Sequence, residues 1–142
     1  MRTIVVGDIH GCFRDHPFLA YIRTLPLYYE TEHYICVHAA VSRKGPECTD
    51  RSIALWDRSL ADEGIYCGKL VIYGHTPMEK VLYQPGDGTC RQIVAGRKQP
   101  LPEHGCIGLD TGCVWKKKLT AMVIEENKNG LEYQIRQVEY GK

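Results

Sequence analysis

Close cysteine pairs, long apolar runs, asparagine and an excess of either charge are all scarce in this sequence, and each scarcity narrows the field. The seven cysteines fall at Cys12, Cys36, Cys48, Cys67, Cys90, Cys106 and Cys113, with no C-x-x-C pair and no regular spacing. A structural zinc site needs close ligand pairs, so that class has little support. A disulfide scaffold needs a secretory route, and the opening MRTIVVGD meets an acid before any signal-peptide core forms. Cys36 and Cys106 lie inside apolar runs and are expected to be small core residues. No apolar stretch approaches the ~18 residues of a membrane span, so no membrane partner is expected. Lys plus Arg number 18 against 17 Asp plus Glu, a net charge of +1. That removes the broad basic field of a dedicated nucleic-acid binder, with the run Lys116-Lys117-Lys118 as a local exception. What remains is the composition of a soluble, cytoplasmic protein: 142 residues, 44% hydrophobic and 25% charged, long enough for one domain with its own core.

The apolar residues come in short runs separated by turn signals. Residues 3–6 form a β-branched run stopped by Gly7, which predicts a buried strand. Over residues 13–25, Phe18, Leu19, Ile22 and Leu25 recur at helical spacing, with Pro17 in the first turn and Pro26 closing the helix. Residues 34–37 and 70–73 are predicted strands that end at His38 and at Gly74-His75. Residues 50–60 read as one helix capped by Thr49 or Asp50, with Ile53, Trp56 and Leu60 along its apolar face and Arg58 off it. Further strands are predicted at 80–83, 90–95, 106–109, 119–124 and 131–138, and a loop at 96–105. The strand–helix–strand opening predicts a parallel crossover, and the later runs predict antiparallel pairing. The expected class is a single α/β domain over residues 1–142 with a strand-rich C-terminal half.

Three of the six histidines share one placement. His10 follows IVVGDI, His38 follows YICV and His75 follows LVIYG, each just beyond the C-terminal end of a predicted strand. Open α/β sheets build their sites there. Asp8 stands two residues before His10, so in an extended segment both side chains leave on one side. One carboxylate and three imidazoles make a divalent-metal site, and mixed nitrogen and oxygen ligation favours Mn, Fe, Zn or Co over calcium. His16, His33 and His104 lack that context.

The segment Gly7-Asp8-Ile9-His10-Gly11 resembles the G-D-x-H-G opening motif of the calcineurin-like metallophosphoesterases. Residues 34–39, YICVHA, resemble the V-H-A-G element of its serine/threonine phosphatase branch, and Gly74-His75-Thr76-Pro77 resembles the G-H-T-P element. Asp110-Thr111-Gly112, followed by Leu119-Thr120, is similar to the family's C-terminal D-T-G strand pair. Leu55-Trp56-Asp57-Arg58 resembles the L-W-x-R segment whose arginine binds phosphate. These elements keep the family's order over nearly the whole chain and point to the bacterial and phage-type enzymes, including symmetrical dinucleoside tetraphosphatases.

Two family motifs are missing between the first element and V-H-A. Neither G-D-x-V-D-R-G nor G-N-H-E is present, and the only asparagines, Asn127 and Asn129, lie in a C-terminal turn. The chain reads as a family member lacking an internal segment between about residues 14 and 18. The resemblance implies an abbreviated α/β/β/α sandwich and phosphate-ester hydrolysis by a metal-activated water. It assigns Asp8 and His10 to one metal, His38 and His75 to a second, and Arg58 to phosphate. The bridging aspartate and the histidine that assists the leaving group belonged to the missing motifs, so one ion is expected rather than two, with Mn as the first candidate. Asp15 and Asp110 are the nearest substitute carboxylates. The implied partner is a phosphorylated substrate: a phosphoprotein, a phosphopeptide or a nucleotide. Loss of the internal segment also predicts a newly exposed sheet edge or face, open to self-association. The alternative reading is a non-catalytic remnant that binds at most one metal or phosphate.

Overall fold

A computed structural model of the chain describes residues 1–8, 21, 23–64, 68–115 and 117–139. His10, Asp15, most of the helix expected over 13–25 and the junction near residues 14–18 lie outside the described residues. In chain order the strands are β1 (Arg2–Val6), β2 (Tyr28–Glu30), β3 (Tyr34–Val37), β4 (Leu70–Tyr73), β5 (Leu82–Gln84), β6 (Arg91–Gln92), β7 (Lys98–Pro100), β8 (Cys106–Gly108), β9 (Lys118–Asn127) and β10 (Gly130–Glu139). Two short helices, α1 (Arg51–Trp56) and α2 (Ser59–Glu63), lie between β3 and β4.

The strands form a six-stranded sheet ordered β2-β3-β4-β8-β5-β6 and a four-stranded sheet ordered β1-β9-β10-β7. β3, β4 and β8 run parallel, with Ile35 opposite Val71 and Ile72 opposite Ile107. Every pairing in the four-stranded sheet is antiparallel. Alternation along the central strands sorts their side chains between two cores. Tyr34, Leu70, Ile72 and Ile107 join Met122, Ile124, Tyr133 and Ile135 between the sheets. Ile35, Val37, Val71, Tyr73 and Cys106 face the other way and pack with Ala54 of α1 and Leu60 of α2. Among the described residues the layers are therefore sheet, sheet and helices. Burial pushes the Cys36 and Cys106 thiols up to about 12, in keeping with their expected core role.

Four expectations are corrected. β1 does not pair with β3: it lies in the four-stranded sheet, antiparallel to β9, with Val5 opposite Met122. The parallel crossover instead joins β3 to β4 through α1 and α2. β1 is also not buried on both faces, since Val5 packs inward while Ile4 and Val6 stay 57% and 51% exposed. A run of four β-branched residues does not show which of its faces is covered.

The single helix expected over 50–60 is two helices. Asp50 caps α1 by accepting from the Ile53 N–H at 2.9 Å, and Asp57 accepts from the Ser59 N–H at 2.7 Å. The second interaction favours a fresh turn over continuation, so α1 ends at Trp56, which lies two residues past the buried Ala54 and is 70% exposed. The segment 96–105, expected as a loop, carries the edge strand β7, where Lys98 and Gln99 pair with Gln134 and Tyr133. Lysine and proline are tolerated there because an edge strand needs no partner on its outer side.

Candidate metal centre

Three strand ends converge on one point, although not from one sheet. Asp8 follows β1 of the four-stranded sheet, whereas His38 and His75 follow the parallel strands β3 and β4. Gly7 makes the crossing possible. Its N–H extends the β1–β9 ladder by donating to the Thr120 carbonyl at 2.8 Å. A Cβ at position 7 would come within 2.5 Å of the Leu109 carbonyl oxygen, so only glycine lets β1 pass the end of β8 this closely.

The parallel ladder continues past β3 and β4, where the Gly74 N–H donates to the His38 carbonyl at 2.8 Å. Beyond it His75 takes a positive φ of 64°, the one such non-glycine residue among those described. This conformation is uncommon for a side-chain-bearing residue and clusters at functional sites. It aims the His75 N–H at Asp8 Oδ1, 3.1 Å away. A Cβ on Gly74 would sit on that same oxygen, so the glycine is a cradle for the carboxylate.

The potential donor atoms of Asp8, His38 and His75 all lie within 4.8 Å of one another. His38 Nδ1 is 3.6 Å from Asp8 Oδ1, and the two imidazoles meet edge to face with centroids 5.0 Å apart. Burial holds the His75 imidazole below its ordinary value, with His38 and the Arg58 charge acting the same way. Asp8 and a hydrogen bond to the Trp56 backbone oppose them. Two imidazoles and a carboxylate suit a single borderline divalent ion, whose ligands at ~2.1 Å would stand roughly 3–4 Å apart. The 3.6 Å between His38 Nδ1 and Asp8 Oδ1 lies within that range.

Arg58 is exposed and N-terminal to α2, on the far side of the Asp57 break, and its charge reaches His75. Asp110 serves a different purpose. It is buried, its Oδ1 accepts from the Gly112 N–H at 2.9 Å, and its carbonyl accepts from the Met78 N–H. It shapes the turn after β8 and is not part of the donor cluster. Trp56 is the site neighbour that sequence reasoning missed: its indole stands edge-on to His75, with centroids 5.7 Å apart and an 84° interplanar angle. The Asp57-Arg58-Ser59 capping pattern, read as a helix restart, would have placed Trp56 at a helix end rather than in a helix face.

The sequence matches no family profile and no curated protein. Among solved structures, the chain is similar to a metallophosphoesterase from Sphaerobacter thermophilus, with a TM-score of 0.56 at 15% identity. The alignment covers 87% of this chain and 51% of that one, so the chain spans about half the length of the structure it matches. What the likeness establishes is the fold: a mixed, sheet-rich architecture with few helices, similar to that of a metallophosphoesterase.

Proposed function

We propose that this chain is a metal-dependent phosphoesterase of the serine/threonine phosphatase type, acting in the cytoplasm on a phosphorylated substrate with one divalent ion, Mn first among the candidates. The observation that carries the reading is the convergence of Asp8, His38 and His75 within 4.8 Å. Those three residues would hold the ion, with His10 as the fourth ligand implied by the G-D-x-H-G resemblance. A bound divalent ion lowers the pKa of a coordinated water and polarises a phosphate oxygen. Asp8 offsets the charge of the ion, and the cradle at Gly74 keeps its carboxylate beside both imidazoles. Arg58 grips phosphate oxygens, a two-point contact that lysine cannot copy. In the hydrolysis the water oxygen bonds to phosphorus, the P–O bond to the leaving group breaks, and that oxygen takes a proton.

A second reading, a remnant that binds an ion or phosphate without turnover, is favoured by the missing G-D-x-V-D-R-G and G-N-H-E motifs. General acid–base help is worth ~100–10,000-fold, so turnover is expected several orders of magnitude below that of a relative with both motifs. Metal analysis after saturation with Mn, followed by phosphate release from p-nitrophenyl phosphate, tests both readings. Near one ion per chain, abolished by joint His38→Ala and His75→Ala, supports the site. Slow release abolished by Asp8→Asn supports the enzyme. An absence of bound ion would sink the site itself.

A further inference from the structure

The chain has two tryptophans and leaves both in solvent, Trp56 at 70% and Trp115 at 57% exposure. Indole carries the largest apolar surface of any side chain, so an exposed one beside a polar cluster calls for an explanation. Trp56 is not a loosely tethered surface residue. Two positions earlier, Ala54 is fully buried and its carbonyl accepts from the Ala39 N–H at 2.8 Å. Ala39 directly follows His38, so this bond ties α1 to the donor cluster. The main chain is therefore fixed beside the Asp8, His38 and His75 cluster while the ring is held outside the core, edge-on to His75 at 5.7 Å.

We propose that Trp56 is a specificity-determining residue whose indole stacks on a planar aromatic group carried by the phosphoester, so that the site prefers aryl or nucleobase phosphates to aliphatic ones. This rests on the metal-dependent phosphoesterase reading and adds the substrate class. A phosphate held beside His75 and Arg58 brings the group attached to it within a few ångströms of the indole. An aliphatic group offers no π face to the ring, whereas a base or aryl ring stacks on an aromatic side chain in a sequence-tolerant way. A cationic group would also be attracted to the indole, but it would meet the Arg58 charge that already reaches His75. A neutral aromatic ring is the better match.

The test uses the full chain loaded with Zn and three probes: adenosine 5′-monophosphate, phosphotyrosine and glycerol 2-phosphate. Binding is measured by calorimetry and by the emission of Trp56 in a Trp115→Phe background. The aromatic phosphates should quench that emission saturably and bind about tenfold tighter than glycerol 2-phosphate, since stacking on an aromatic side chain supports at least that ratio. Trp56→Leu should bring all three affinities within about twofold of one another, and Trp56→Tyr should keep most of the preference. The ranking of adenosine monophosphate against phosphotyrosine separates a nucleobase from an aryl group as the stacked partner. Equal binding of the three probes by the parent chain, or a preference that survives Trp56→Leu, overturns this proposal and leaves the phosphoesterase reading standing. Failure of the ion-loaded chain to bind any of the three overturns both.

Discussion

The two sheets differ in what covers them. The six-stranded sheet is packed on both faces, and all four residues of β4 are buried. Among the described residues the four-stranded sheet is packed on one face: Met122, Ile124, Tyr133 and Ile135 point inward, while Ile4, Val6 and Val138 remain exposed on its strands. Both sheets are rich in β-branched residues, so the composition of a strand does not report how many of its faces are covered. Position in the sheet does. β3, β4 and β8 sit between two layers, whereas β1 is the last strand of its sheet among the described residues and leaves Ile4 and Val6 about half exposed. The Asp8, His38 and His75 cluster sits where the two kinds of sheet meet.

The sharpest way to break this contrast is to remove methylenes from the doubly covered sheet. Ile107→Ala in β8 should cost about 2–5 kcal/mol in urea unfolding, because its neighbours are close-packed and cannot collapse onto the void. At the junction between the sheets, Gly74→Ala should leave the fold intact but push Asp8 away from His75, lowering metal affinity by roughly 10–100-fold in a calorimetric titration. Smaller still is the effect of Asp57, whose carboxylate accepts from the Ser59 N–H at the start of α2. Asp57→Ala should cost about 1 kcal/mol at neutral pH. Hydrogen bonds from the Ser59 side chain and backbone hold the Asp57 carboxyl below its usual range. Its contribution is therefore present above the unfolded value near ~3.9 and lost as pH falls through the folded value. The difference between parent and variant should accordingly shrink in unfolding curves taken at progressively lower pH. Smallest of all, Ile4→Thr on the uncovered face should change stability by no more than about 0.5 kcal/mol. A cost near that of Ile107→Ala would show that something covers β1 in solution.

Legibility from sequence followed the same division. β3 and β4 were readable to the residue, because a strand covered on both faces is a continuous apolar run bounded by polar neighbours. β1 was readable as a strand but not as to its sheet, since pairing with β9 depends on residues more than a hundred positions away. β7 was hidden by Lys98 and Pro100, residues that an outermost strand accepts. At the site, Asp8, His38 and His75 stood out by their position after apolar runs, and the structure brings the three together. Trp56 did not stand out, because a single helix over 50–60 groups it with Ile53 and Leu60, whereas α1 buries Ala54 and ends at Trp56.

The origin of the three donors in different sheets has a thermodynamic consequence. An ion held by Asp8, His38 and His75 would act as a clasp between the two halves of the molecule, because the end of β1 could not part from β3 and β4 without releasing it. Whatever binds only the closed form stabilises it by mass action, by about 2.7 kcal/mol when the free ion stands at 100 times its dissociation constant. The melting temperature of the chain then becomes a gauge of metal occupancy, rising with the logarithm of the ion concentration. The end of β1, tied to its own sheet through β9 alone among the described strands, is where hydrogen exchange should slow first as the clasp fills.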